Sequence, residues 1–141
     1  KLEFMERTLA IIKPDAVAAR STGAILQRAE GAGFSIVAMR LVRLSKRDAE
    51  GFYAVHRERP FFSELTAFMS SGPSVVLALA APDAIKRWRA LMGATDPAQA
   101  EEGSLRREFG RSIENNATHG SDGLETAAFE LNYFFRGLEL G

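Results

Sequence analysis

The two histidines, His56 and His119, are the side chains that first suggest covalent chemistry in this sequence. His119 lies in the segment NATHGSD (116–122), before a predicted helix whose first N–H groups can bind an anion, and Gly120 removes side-chain bulk beside the ring. A neutral imidazole, with an unperturbed pKa of about 6.5, attacks phosphorus without a separate base. His119 is therefore a candidate phosphoryl acceptor. An equally good interpretation is that His119 is structural and forms hydrogen bonds with the backbone of its loop. His56, beside charged residues 57–59, is interpreted as a solvated or helix-capping side chain.

Three basic residues lie at the ends of predicted elements or in adjoining loops, where they can bind phosphate oxygens: Lys13, Arg89 and Arg106. With eighteen basic residues in the chain, any single one is more often an ordinary surface charge. The adjacent Phe61 and Phe62 can stack on a nucleobase, and two neighbouring aromatics are more often core residues. The sequence contains neither of the common glycine-rich phosphate loops, so side chains would have to hold any nucleotide.

The elements that position these residues alternate between strands and helices. Apolar segments rich in Ile, Val and Leu predict strands over 8–13, 36–44 and 74–80. Helices are predicted after caps at Ser21 or Thr22, at Ser45 and at Ser63, ending near 31, 55 and 71, and further helices over 83–92, 105–109 and 122–135. This alternation indicates an α/β or α+β protein.

Composition narrows the class of protein. The chain has 141 residues, of which 46% are hydrophobic, its formal net charge is zero and it has no cysteine. These values predict one domain over 5–141 with a real core, without disulfides, and a cytoplasmic location. The longest apolar run, 75–81, is far shorter than a membrane-spanning helix requires. Residues 1–4 precede Met5 and are interpreted as a remnant of cloning.

Five motifs, taken in order, resemble the nucleoside diphosphate kinase family over essentially the whole chain. They are ERTLAIIKPD (6–15), RPFF (59–62), SGP (71–73), MGATDP (92–97) and NATHGSD (116–122). The resemblance implies a ferredoxin-like sandwich, in which helices cover a four-stranded antiparallel sheet in βαββαβ order. It also implies that the fourth strand is a short segment leading into His119, after a long loop.

By the same resemblance, His119 is the residue that is phosphorylated, in a ping-pong transfer of the γ-phosphate of ATP or another nucleoside triphosphate to a nucleoside diphosphate. Glu130 orients the imidazole through Ser121, and Tyr53 lies close to it. These residues form the implied catalytic group together with Lys13, which contacts the transferred phosphate and the sugar hydroxyl.

The resemblance further implies how a nucleotide is bound. Arg89, Thr95 and Arg106 hold the outer phosphates, and Asn116 binds the ribose. The base lies between Phe61 and Ile113, a stacking slot that accepts any base because every base has a π face. Mg²⁺ arrives on the nucleotide phosphates, and Asp122 contacts it through water, so no protein metal cage is expected. The implied assembly is a homo-oligomer, a tetramer or a hexamer.

Two other classes of protein compete with this interpretation. A ferredoxin-like module that binds nucleic acid would carry aromatic residues along its strands and a basic face, whereas these strands contain aliphatic residues and the net charge is zero. An inactive scaffold of the same fold would lack the nucleophile or the cationic residues, and all of them are present. We therefore expect an enzyme that binds neither nucleic acid nor a membrane.

Overall fold

In the computed structural model, which describes residues 5–141, the strands form one antiparallel sheet in the order β2-β3-β1-β4. The strands are β1 (Glu6–Ile12), β2 (Ser35–Arg43), β3 (Pro73–Ala81) and β4 (Thr118–Gly120). The interpretation of residues 1–4 lies outside the described residues. The alternation and strand order confirm the predicted ferredoxin-like sandwich, including the short fourth strand that carries His119.

Helices lie on both faces of this sheet. They are α1 (Pro14–Ala18), α2 (Thr22–Gly31), α3 (Lys46–Phe52), α4 (Phe62–Met69), α5 (Ala84–Met92), α6 (Leu105–Phe109), α7 (Leu124–Phe134) and α8 (Gly137–Leu140). Two single turns of 3₁₀-helix, Ala54–His56 and Pro97–Gln99, interrupt the connections. None of the helices within residues 5–141 is both long and apolar enough to cross a membrane.

The central strand β1 divides its side chains between two cores because successive residues of a strand point to opposite faces. Ala10 and Ile12 pack with α2 and α5, in the core that contains Trp88. Leu9 and Ile11 pack on the other face, against residues of α3, α4 and α7 such as Phe52. This alternation decides which way each residue of the neighbouring strand β4 points.

Several predicted boundaries are wrong, for local reasons. Pro14 ends β1 as expected but then opens α1, because its fixed φ suits the first turn of a helix. Ser63 does not cap α4, which begins at Phe62. The helix predicted to continue to residue 55 ends at Phe52, although the Ser45 cap is present as a capping box with Asp48. The C-terminal α8 was not predicted because it has only four residues.

Candidate active site

His119 lies at the centre of β4, directly opposite Ile11 of β1, so its ring points to the same face as Ile11. That face holds Phe52 and Tyr53, whose rings meet the imidazole edge-on, with centroids 5.4 Å and 6.1 Å from it. The His119 side chain keeps 17% of its surface exposed. The ring is thus fixed by packing and still open to a ligand on one side.

Glu130 of α7 holds the imidazole by one nitrogen. Its Oε1 lies 2.9 Å from His119 Nε2 and accepts a second hydrogen bond of 2.8 Å from Ser121 Oγ. Ser121 is itself fixed, because its Oγ accepts the backbone N–H of Leu9 at 3.1 Å. A carboxylate only accepts hydrogen bonds, so we assign the proton to Nε2, which leaves a lone pair on Nδ1. Nδ1 has no hydrogen-bond partner among residues 5–141.

The phenol of Tyr53 is buried beside the imidazole, and its hydroxyl lacks a hydrogen-bond partner within the described chain. Burial raises the pKa of Tyr53, and the negative charge of Glu130 raises it further. The phenol therefore stays protonated and is available as a hydrogen-bond donor to a bound anion. Phe52, which contacts the imidazole more closely than Tyr53, was missed by the sequence analysis because a helical phenylalanine gives no signal beyond hydrophobicity.

Lys13 follows β1 and is almost fully buried. Its Nζ donates a 2.8 Å hydrogen bond to Asn116 Oδ1, and Asn116 Nδ2 donates to the carbonyl of Thr95 at 3.1 Å. Burial lowers the pKa of Lys13 to about 8, and the positive charge of Arg106 contributes in the same direction. Three residues predicted separately are therefore joined in one hydrogen-bonded chain.

Arg106 of α6 is oriented by two backbone carbonyls, Gly93 O at 3.2 Å and Thr118 O at 2.9 Å. Its Nε is buried without a hydrogen-bond partner in the described residues. Burial lowers the pKa of Arg106 to about 10, and the nearby charge of Arg89 lowers it as well. Arg106 thus carries an incompletely satisfied guanidinium next to a second positive charge, an arrangement that can receive an anion.

Arg89 and Asp122 line the same open cavity, of about 430 Å³, at the edge of the sheet beside Glu6 and Asp83. His119 is not among the residues that line it. Asp122 is exposed, and its Oδ1 accepts a 2.7 Å hydrogen bond from the hydroxyl of Thr126. No group of three or more His, Asp or Glu side chains within residues 5–141 is placed to hold a metal ion.

The two predicted base-stacking residues stand at the surface, Phe61 with 48% and Ile113 with 54% of its surface exposed. The Phe61 ring lies 5.4 Å from the ring of His56, which is stacked on Tyr53 at 6.4 Å. His56 is therefore half-buried between two predicted site residues, a contact that its charged sequence neighbours concealed. Phe62, the other aromatic of the pair, packs against the core.

Two details of the sequence argument are corrected by the structure. A Cβ on Gly120 would lie 2.5 Å from Trp88 Cδ1, so the glycine makes room for Trp88 on the opposite face of the sheet and not for the imidazole. The first N–H groups before α7, those of Asp122 and Gly123, both donate to the hydroxyl of Thr126. These two N–H groups are thus already used and are not available to an anion near His119.

We expect Gly120→Ala to destabilise the fold by about 1–3 kcal/mol, because the added methyl group overlaps both Trp88 and Met92 in a close-packed core. Urea unfolding followed by the fluorescence of the single tryptophan measures this effect directly. Gly23→Ala is the matched control, since a Cβ there meets nothing within 4 Å. Equal midpoints for the two variants would show that the core around Trp88 yields without cost.

Comparison with known proteins bears on the class of this chain. The family model for nucleoside diphosphate kinase matches residues 6–140. A nucleoside diphosphate kinase from Desulfovibrio desulfuricans is 62% identical over 97% of this chain and 99% of its own length. One from Geotalea uraniireducens is 61% identical over 96% of this chain and 99% of its own.

Solved structures agree with the sequence relatives. A crystal form of the Aquifex aeolicus nucleoside diphosphate kinase superposes with a TM-score of 0.96 at 46% identity, covering 98% of this chain and all of that one. The Halobacterium salinarum enzyme in complex with CDP gives a TM-score of 0.93 at 35% identity, covering 98% of this chain and 92% of that one.

The fold and these relatives define a nucleotide-binding kinase, and hence a transferase. More particularly, the chain belongs to the nucleoside diphosphate kinase family. Nucleoside diphosphate kinase activity is the function that its relatives support.

Proposed function

We propose that this chain transfers the γ-phosphate of ATP, or of another nucleoside triphosphate, to a nucleoside diphosphate by two displacements at His119 Nδ1. The observation that carries the proposal is the 2.9 Å contact of His119 Nε2 with Glu130, which leaves Nδ1 as the free nitrogen of a ring that is fixed by packing. An oriented nucleophile removes most of the entropic cost of attack.

In the first displacement, the Nδ1 lone pair attacks the γ-phosphorus and the bond to the bridging oxygen breaks, so that the nucleoside diphosphate leaves. In the second, a terminal oxygen of an acceptor diphosphate attacks the same phosphorus and the P–N bond breaks, which returns neutral His119. Glu130 stabilises the positive charge that develops on the ring, because its carboxylate accepts the hydrogen bond from Nε2–H. Ser121 keeps that carboxylate in place.

Charge on the transferred phosphoryl group is spread over its equatorial oxygens, and cations must be aimed at them. We assign this role to Lys13, Arg89 and Arg106, supported by the burial of Lys13 and the partly unsatisfied guanidinium of Arg106. Tyr53 contributes a buried hydroxyl beside the ring. We assign Thr95 to binding the outer phosphates. Asn116, which accepts a hydrogen bond from Lys13, is assigned to binding the ribose.

The base would occupy a slot between Phe61 and Ile113, whose half-exposed side chains leave apolar surface for stacking. The Halobacterium salinarum relative was solved with CDP, which supports the binding of a nucleoside diphosphate by this fold. Stacking involves few contacts to the edges of a base, so we propose low selectivity among nucleobases.

We further propose that Mg²⁺ enters with the nucleotide. The residues present fit this arrangement, because Asp122 is an exposed carboxylate whose Oδ2 has no hydrogen-bond partner among residues 5–141, and Mg²⁺ keeps several waters when it is bound through phosphates. When bound, the ion neutralises charge on the β- and γ-phosphates. Asp122 would hold one of the waters of the ion and so fix the outer end of the nucleotide.

Phosphoenzyme formation tests the proposed function. Incubation with Mg²⁺ and γ-labelled ATP should place an acid-labile, alkali-stable label on the protein, and unlabelled CDP should remove it as labelled CTP. Excess EDTA should prevent labelling, because the uncompensated phosphate charge opposes attack. A folded protein that takes up no label, or whose label CDP does not remove, would contradict the ping-pong mechanism.

We also propose that the chain forms a homo-oligomer, a tetramer or a hexamer. Support comes from β2, which is an edge strand of the sheet and exposes Met39 by 50% and Leu41 by 68%. Apolar edge strands are normally covered, since they invite pairing. Light scattering coupled to gel filtration measures the assembly mass, and a monomer at micromolar concentration would exclude the proposal. The cytoplasmic location remains a prediction.

A further inference from the structure

The turn that leads into β4 contains a backbone conformation that L-residues avoid. Ala117 has φ +74°, in the left-handed region, and its side chain is fully buried. It lies between Asn116 and Thr118, two residues before His119. Such a conformation persists only where the surrounding contacts hold it in place.

Two hydrogen bonds from outside the turn hold Ala117. Its N–H donates to Asp15 Oδ2 at 3.1 Å, and its carbonyl accepts the N–H of Lys13 at 2.8 Å. Both partners come from the end of β1 and the start of α1, which are distant in sequence. The bond to Asp15 is charge-assisted and is therefore the stronger kind of backbone contact.

Asp15 also influences Lys13 directly. Its negative charge raises the pKa of Lys13, against the effects of burial and of Arg106. The other carboxylate oxygen, Asp15 Oδ1, is buried without a hydrogen-bond partner within residues 5–141. Asp15 thus faces the candidate site and has no part in the mechanism described above.

We propose that Asp15 is a positioning residue, whose carboxylate holds Ala117 in its left-handed conformation and thereby aims Asn116 and Lys13 at the nucleotide. The inference rests on the proposed phosphotransfer. It follows from the contacts, because Asn116 and Lys13 are bonded to each other at 2.8 Å and both adjoin the clamped turn. A displaced turn moves both groups, and small displacements cost large factors in rate.

Three variants separate the two effects of Asp15. Asp15→Ala removes the bond and the charge, and we expect kcat to fall roughly tenfold. Asp15→Asn keeps an oxygen that accepts the Ala117 N–H, so kcat should remain within about threefold of wild type. The double variant Asp15→Ala, Ala117→Gly should recover most of the lost kcat, because glycine adopts a positive φ without a carboxylate to hold it. Ala117→Gly alone is the matched control.

The pH profile supplies a readout that a purely structural role would not move. The charged groups that face Lys13 are Arg106 of α6 and Asp15 of α1, and Asn116 adds a neutral amide. Without the Asp15 charge, the Lys13 ammonium deprotonates at lower pH, so the alkaline limb of kcat/KM should shift to lower pH in Asp15→Ala and Asp15→Asn alike. The glycine in the double variant should restore kcat but leave this limb shifted.

Asp15→Ala with wild-type kcat and an unshifted limb would overturn the inference. A folded double variant that recovers no kcat would also overturn it, since Asp15 would then act by a route other than the conformation of Ala117. Thermal melts of the wild type and all four variants establish that each is folded. An inactive wild type would overturn both the proposed function and this inference, whereas an active wild type with an indifferent Asp15→Ala would overturn this inference alone.

Discussion

His119→Ala is expected to abolish labelling by γ-labelled ATP and to lower kcat by at least about 10⁴-fold, because no other nucleophile can replace the lost nitrogen. The variant should remain folded. Glu130 loses one partner, but its Oε1 still accepts the Ser121 hydroxyl at 2.8 Å, so no buried carboxylate is left wholly unpaired. Circular dichroism and the fluorescence of Trp88 monitor whether the variant is folded. Trp88 Nε1 donates to the backbone carbonyl of residue 119 and not to the imidazole, so the substitution leaves this hydrogen bond in place.

His56→Ala is the matched control, since His56 is the only other histidine in the sequence. Its ring is stacked on Tyr53 and contacts Phe61, so its removal should alter nucleotide affinity more than labelling. The variant should therefore still take up label at His119. If His119→Ala kept the label and His56→Ala lost it, the nucleophile would be His56, and the mechanism proposed at His119 would be overturned.

The strands could be predicted well from the sequence because buried strands consist mainly of apolar residues. The run of aliphatic residues in β3, buried along almost its whole length, identifies a strand covered on both faces. Helix ends were predicted less well, because a serine is a cap only if the chain turns at that residue. Ser45 caps α3 and forms a capping box with Asp48, whereas Ser63 lies inside α4 and has Thr66, not an acidic residue, at the same spacing.

The candidate site was predicted in its residues more than in its contacts. The residues alone suggested His119 and Lys13, family resemblance added Glu130, and the structure places His119 and Glu130 2.9 Å apart. Asp15 lies within a recognised motif, but its role depends on a hydrogen bond to a residue 102 positions away. Such a contact arises from the pairing of β1 with β4, so only the folded chain reveals it.

Gly120 shows the same limit for a single residue. Its place beside His119 suggested that it clears space for the ring, but neighbours in a strand point to opposite faces. The space it leaves is occupied by Trp88, which supports β4 from behind. The role of a glycine next to a candidate catalytic residue therefore depends on which face of the strand it lies on, and this required knowing that residues 118–120 form a strand.

Lys13→Met is expected to separate activity from stability. Methionine has a similar length and no charge. If Lys13 binds the transferred phosphate as proposed, the variant should lose about 10²–10³-fold in kcat/KM because that cation is gone. The free energy of unfolding should nevertheless not fall. The pKa of Lys13 is lowered from 10.5 to about 8, and this difference of roughly 2.5 units corresponds to about 3 kcal/mol of cost for burying the charge at neutral pH.

The Met variant removes that cost but leaves Asn116 Oδ1 without its 2.8 Å donor, which costs about 1–3 kcal/mol. We therefore expect Lys13→Met to be as stable as wild type at about pH 7, or more stable by up to about 2 kcal/mol. Urea unfolding gives this comparison. A variant that is both inactive and markedly less stable would show that Lys13 supports the fold by its charge, contrary to its lowered pKa.

The pH dependence of stability makes the test sharper. Between about pH 8 and 10.5 the unfolded chain keeps the Lys13 proton while the folded chain has lost it, so the unfolded state binds more protons. The contribution of Lys13 therefore makes wild-type stability rise with pH in this window, and the rise should be absent from Lys13→Met. Over the same range wild-type kcat/KM should fall, because the ammonium that faces the phosphate is neutralised. Wild-type stability that rises with pH while kcat/KM falls would identify Lys13 as a buried cation kept for phosphoryl transfer, provided that Lys13→Met removes both changes.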